Sequence, residues 1–147
     1  MKHLLIPVDF SAGTDRILAA AARIGRREEC VLHLLHVAPP EPDFIPFDAG
    51  PDTVRDQVAE DLRQEHRSIQ ELAARLTSDG FQASARMVQG STVETILEWA
   101  ERVEADCIVM GSHNRGALHR LVLGSISEGV LRKTQRPVLV VPALVTT

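Results

Sequence analysis

Leu4-Leu5-Ile6-Pro7-Val8 sets five apolar side chains in a row, and Asp9-Phe10-Ser11 breaks the run at once. A short, continuous apolar run bounded by turn residues is the pattern of a strand buried on both faces. Ser11 then offers a helix N-cap, and Ile17, Ala21 and Ile24 recur at helical spacing until Gly25 supplies a stop. Val31 to Val37 is a second apolar run. A strand, a helix and a second strand in that order open a parallel sheet, and the remainder of the chain repeats the alternation.

A Pro/Asp-rich loop from Pro39 to about Pro51 follows, and Asp52 is placed to cap a long polar helix closed by Gly80. Val54, Val58, Leu62, Ile69, Leu72 and Leu76 form its expected buried side. From Phe81 to Val88, Phe81, Ala83, Ala85 and Met87 alternate with Gln82, Ser84 and Arg86, so one face is wet and the strand belongs at an edge. Ser91-Thr92-Val93-Glu94 has the spacing of a capping box, with Val93, Ile96, Leu97, Ala100 and Val103 as the stripe of a third helix. Cys107-Ile108-Val109-Met110 is a strand ending at Gly111, and Ser125-Ile126-Ser127-Glu128 is a second capping-box sequence opening a helix to about Thr134. Val138-Leu139-Val140-Val141, between Pro137 and Pro142, is the last strand. Five strands with interleaved helices make one α/β domain, an open parallel sheet with helices on both faces.

Composition narrows the function. The 147 residues carry 16 basic and 20 acidic side chains, a net charge of −4, which argues against nucleic-acid or anionic-membrane binding by counterion release. Aromatics make up 3% and tyrosine is absent, so base-stacking platforms and sugar clefts are disfavoured. Cys30 and Cys107 stand without ligand or disulfide spacing and read as small buried hydrophobes in a reducing compartment. Leu4 to Val8 lacks the features of an export signal, and no apolar run approaches the roughly 18–20 residues of a membrane span. A cytoplasmic location is the expectation.

In an open parallel sheet, ligands bind beyond the carboxyl ends of the strands, which directs attention to Asp9, to Val37 and to Gly111-Ser112-His113-Asn114-Arg115-Gly116. The helix opening near Ser125 follows Gly124 and presents free amides and a positive dipole end to an anion. Two common nucleotide motifs are missing: no G-x-x-x-x-G-K-[ST] occurs, and no G-x-G-x-x-G follows the first strand. What does occur is Gly111-x-x-Asn114, nine residues, then Gly124-Ser125. With Pro7-Val8-Asp9-Phe10-Ser11, Met110-Gly111-Ser112-His113, Leu121 to Glu128 and Pro137 to Val141, the chain resembles the universal stress protein family over nearly its whole length. The ATP-binding members of that family carry G-x-x-G, nine residues, then G-[ST].

The resemblance implies a Rossmann-like adenine-nucleotide-binding fold with strand order 3-2-1-4-5 across residues 1–147. It implies that Pro7, Asp9 and Val37 line the adenine and ribose side, where a carboxylate can accept hydrogen bonds from ribose hydroxyls. It places Gly111, Ser112, His113, Asn114, Arg115, Gly116 and Ala117 around the phosphates, with Gly124, Ser125, Ile126 and Ser127 holding them by amides and hydroxyls. Arg115 would supply a bidentate contact, and Mg²⁺ or Mn²⁺ would be held through the phosphates rather than by the protein. The second motif glycine is Asn114. A glycine needed there for positive φ is replaced by Asn at least cost, whereas one needed for close approach of a phosphate is not.

Simpler roles stand beside these. Asp9 can terminate a helix turn, and Ser125 with Glu128 can be a capping box and nothing more. His33 and His36 lie three apart in a strand, face opposite ways and make poor joint metal ligands. His113 and His119 lack a completing carboxylate or Cys, Cys107 lacks an activating base, and Trp99 reads as packing against the sheet. The leading expectation is an ATP-binding regulatory module of the stress-response type. It would act as a homodimer through the exposed last strand and with some protein partner, with little or no turnover and with neither nucleic acid nor membrane bound. The alternative is a nucleotide-free homologue serving as a dimeric interaction protein. An adenylyl-transferring enzyme would need an H-x-G-H or S-G-G-x-D-S signature, and neither occurs.

Overall fold

The first apolar run forms a strand, β1 (Lys2–Pro7), and the periodic segment after it forms α1 (Thr14–Ile24). There follow β2 (Cys30–Ala38), α2 (Pro51–Ser78), β3 (Gln82–Gln89), α3 (Thr92–Arg102), β4 (Cys107–Gly111), α4 (Ser125–Lys133) and β5 (Val138–Val141). The computed structural model describes residues 2–40, 51–112 and 123–142, and of residues 51–54 only the backbone. The sheet is parallel with order β3-β2-β1-β4-β5, so β3 is an edge strand, as its alternation predicts.

The register explains why the central strands are apolar throughout. Leu4 and Ile6 of β1 pair with Leu32 and Leu34 of β2, and this row packs with Ile17, Leu18, Ile69 and Leu76 under α1 and α2. Leu5, Leu35, Ile108 and Met110 point the other way and pack with Ile96, Ala100 and Val130 under α3 and α4. Each such fully buried Leu or Ile contributes about 1.5–3 kcal/mol, so both helix layers are held by the same few strand residues. Trp99 is partly buried against the second layer with the Arg102 guanidinium 5.0 Å above its ring, as its packing role requires.

Several local expectations need correction. The cap of α1 is Gly13, not Ser11, because the Ser11 carbonyl accepts the Thr14 amide at 3.1 Å and the chain is still turning there. Ile24 is half exposed, since the apolar stripe runs out where α1 meets the exposed turn at residues 26–29. The long helix begins at Pro51 rather than after an Asp52 cap, a position proline tolerates because it has no amide to lose. Ile69 and Leu76 of α2 are buried, but Leu62 and Leu72 only partly, and Val58 is exposed in a stretch (55–61) that is exposed throughout. Ser91 does cap α3, although without a hydroxyl–amide bond; Glu94 reaches across to Lys133 of α4 at 2.9 Å. Cys30 is buried, whereas Cys107 is only partly so.

Candidate functional site

β1 lies between β2 and β4, so the chain leaves β1 to one side and returns on the other. Beyond the carboxyl ends of these strands is the switch point where open α/β sheets bind ligands. A cleft of about 450 Å³ opens there, inside the usual range for small-molecule sites. Its floor is apolar, built from Pro7, Val8, Leu35, Val37, Ile96 and Met110. Polar groups enter from two sides: Asp9 and Ser11 from the turn after β1, and Gly111, Ser112 and Gly124 to Ser127 from β4 and α4.

The Asp9 side is tightly tied. The Val8 amide donates to the Leu35 carbonyl at 2.8 Å, and the Asp9 carboxylate accepts the Ser11 amide at 3.0 Å. Asp9 therefore shapes the turn ahead of α1 rather than capping the helix, while also lining the cleft. Phe10 between them has φ +60°, a left-handed conformation that costs a side-chain-bearing residue about 1–2 kcal/mol. Its ring lies 4.6 Å from that of His36, tilted by 46°. His36 is buried, with Nδ1 2.7 Å from the Val8 carbonyl and Nε2 3.0 Å from a Glu65 carboxylate oxygen of α2.

The α4 side is open by comparison. Gly124 is the N-cap, with φ −65° and ψ 161°, and it has no side chain to occupy the helix amides. The predicted capping box does not form. Ser125 is already inside the helix, and Glu128 donates its amide to the Gly124 carbonyl while its carboxylate pairs with Arg132 at 2.6 Å. The amides of Ser125, Ile126 and Ser127 thus have no carbonyl within the helix to bond, and they stand at its positive end facing the cleft. The buried Ser127 hydroxyl donates to the Gly111 carbonyl at 2.8 Å, which pins α4 to the end of β4. The Ser112 amide donates to the Val141 carbonyl at 3.0 Å. A Cβ on Gly111 would stand 2.9 Å from Ile17 Cδ1, so β4 and α1 approach too closely for a larger residue without a shift.

Nine of the predicted site residues, Pro7, Asp9, Val37, Gly111, Ser112, Gly124, Ser125, Ile126 and Ser127, line this single cleft. His113, Asn114, Arg115, Gly116 and Ala117 lie outside the described residues, as does His119. Sequence reasoning missed Thr92 and Ile96, which line the cleft from α3, and treated His36 only as a failed metal ligand. The available signal was a histidine set between Leu35 and Val37 in a largely apolar buried strand, since such a group is kept only when its ring nitrogens are bonded. His33 does face away from it, with its ring stacked on His3 and Nδ1 3.1 Å from Ser84. Burial pushes both cysteine thiols above their ordinary range, and no cluster suited to a metal exists among the described residues. No helix among them is long and apolar enough to cross a membrane.

A family model described as the universal stress protein family matches residues 1–142. A universal stress protein of Thermus aquaticus is 31% identical over 142 aligned residues, covering 95% of this chain and 98% of the relative. One from Methanocaldococcus jannaschii is 30% identical, covering 95% and 94%. Its solved structure superposes with a TM-score of 0.81 over 99% of this chain and 98% of its own. Two more distant structures share the fold. An Archaeoglobus fulgidus universal stress protein in complex with dAMP is 18% identical, with a TM-score of 0.70 and coverage of 95% and 97%. A universal stress protein in complex with cAMP is 21% identical, with a TM-score of 0.66 and coverage of 96% of each chain.

Proposed function

Because the chain belongs to the universal stress protein family, we propose that it is a regulatory module that binds ATP in the cleft at the switch point and turns it over slowly or not at all. The observation that carries this reading is the polarity of that cleft, apolar in the middle with a carboxylate at one side and the open amides of α4 at the other. A purine fits the apolar floor. Ribose hydroxyls can donate to Asp9, and phosphate oxygens can accept from the amides of Ser125 to Ser127 with the helix dipole in their favour. Related folds in complex with dAMP and cAMP support an adenine nucleotide as the ligand class. Mg²⁺ or Mn²⁺ bound through the phosphates would offset their charge, which the net charge of −4 otherwise opposes.

The residue set supports slow turnover. Phosphoryl transfer to water needs a positioned nucleophile and cations on the transferring group. Arg115 and a phosphate-bound Mg²⁺ can supply the cations, but Lys2 and Lys133, both the chain's lysines, are remote in sequence from the glycine-rich segments, and no water-orienting glutamine or catalytic carboxylate pair adjoins those segments in the sequence. A second reading, a nucleotide-free interaction protein, is favoured by Asn114 at the second motif glycine. Extraction of the purified protein followed by nucleotide chromatography separates the two. ATP is expected in the extract of the wild type and absent from Gly124→Val, whose isopropyl group would stand at the α4 N-terminus where the phosphates are proposed to approach. An empty extract together with no heat on titration of ATP, AMP or cAMP with Mg²⁺ leaves only the second reading. A turnover well above about 1 s⁻¹, the low end of ordinary enzymes, would replace both with a hydrolase.

A further inference from the structure

We propose that His36 is a positioning residue for the cleft: it fastens the Asp9 turn to α2 through Glu65, so that ligand affinity depends on a carboxylate outside the cleft. The ligand class rests on the function proposed above. The structural claim does not.

A carbonyl oxygen can only accept, so the 2.7 Å contact means that His36 Nδ1 carries a hydrogen and donates it to Val8. The 3.0 Å contact between Nε2 and Glu65 then needs a second hydrogen between ring and carboxyl. Only histidine at this position reaches both partners; an aliphatic residue would fill the space and bond neither. Val8 is thereby fixed twice to β2, its amide on the Leu35 carbonyl and its own carbonyl on His36. The amide bond fixes the plane of the Pro7–Val8 peptide, and the carbonyl bond to His36 fixes the plane of the Val8–Asp9 peptide that leads into Asp9. Phe10 adds to the clamp, for its left-handed backbone persists only where the surroundings hold it, and its ring packs, tilted, against that of His36 and against the core. Glu65 does not line the cleft and is partly exposed on α2, so its influence on a ligand passes through the His36 ring.

The test titrates the full chain with ATP and Mg²⁺ by calorimetry and, separately, follows hydrogen exchange at the Ser11 amide, which bonds Asp9. Glu65→Ala leaves Nε2 to solvent and His36→Gln keeps the Glu65 contact but loses Val8. Each is expected to weaken binding about tenfold, the loss of one charge-assisted hydrogen bond, and to speed Ser11 exchange. Glu65→Gln, which can still bond Nε2, is expected to retain most of the affinity, whereas His36→Asn, which can still donate to Val8 but does not reach Glu65, is expected to weaken binding as Glu65→Ala does. Unchanged affinity and unchanged Ser11 exchange in Glu65→Ala would overturn the proposal. If the wild type binds no nucleotide, the proposed function fails while Ser11 exchange still decides the role of His36: faster exchange in Glu65→Ala and His36→Gln upholds the clamp, and no change removes it.

Discussion

Phe10 and Gly111 are the two positions where the cleft depends on an unusual local fit. At an ordinary site glycine is about 0.5–1 kcal/mol worse than alanine, because its unfolded chain is freer. Phe10, at φ +60°, should reverse that order. Phe10→Ala loses the contact with His36 and keeps the strain, while Phe10→Gly loses the contact and relieves it. In urea titrations Phe10→Gly is expected to be more stable than Phe10→Ala by up to about 1 kcal/mol, and the opposite order would mean that the left-handed turn is not strained. At Gly111 the obstacle is the end of one flexible side chain, Ile17 Cδ1 at 2.9 Å. Gly111→Ala is expected to cost about 1 kcal/mol or more by overpacking, and Ile17→Val, which removes that methyl, to recover most of it in the double variant. Additive losses would place the strain elsewhere.

At the scale of elements, two polar connections outside the cleft make different predictions. A row crosses three strands, with His3 Nδ1 2.9 Å from His33 Nε2 and His33 Nδ1 3.1 Å from Ser84. Burial first, and His3 second, holds the His33 imidazole below its ordinary value of 6.5. The unfolded chain therefore takes up that proton first as pH falls. The contribution is fully present above pH 6.5 and is lost as pH falls from there toward the lowered folded value. Urea midpoints of the wild type are expected to fall between pH 7.5 and 5.5, and His33→Asn to flatten that slope; equal slopes in both would dismiss the row. From the connection between α4 and β5, Arg136 bonds Glu101 of α3 through two nitrogens at 2.7 and 3.1 Å and donates to the Ala105 carbonyl at 2.8 Å, while Lys133 of α4 makes one exposed pair with Glu94 of α3. Arg136→Ala is expected to lower Tm more than Lys133→Ala, because only Arg136 also satisfies a main-chain carbonyl. The elements themselves were legible in the sequence, since apolar runs such as Val138 to Val141 and stripes such as Ile96 and Ala100 report burial directly. Nine site residues were legible too, because strand ends and a glycine before a helix are local features. The His36 bonds to Val8 and Glu65 were not, for they join residues 28 and 29 apart in the chain. The caps failed for a related reason: Ser125 and Gly124 compete for one position, and what β4 and α4 need of each other decides it.

At the scale of the whole molecule the open question is what covers the two edges of the sheet. β3 protects itself, since Gln82, Ser84 and Arg86 give it an exposed polar face. β5 is four aliphatic residues with β4 on one side only, and Val138, Leu139 and Val140 are only partly buried. An edge of that kind favours pairing, and we expect a homodimer joined through β5. The hydrogen-bond directions show how to break it selectively. The Pro137 and Val141 carbonyls both point at β4, where they accept the Ile108 and Ser112 amides. Backbone groups alternate sides along a strand, so the amide of Val140 points out toward the free edge. Proline there removes a donor that β4 does not use, which an edge strand tolerates. Light scattering at micromolar concentration is expected to give twice the 16.1 kDa chain mass for the wild type and a folded monomer for Val140→Pro. A monomeric wild type would remove the homodimer, and a Val140→Pro variant that stays dimeric would move the partner surface away from β5.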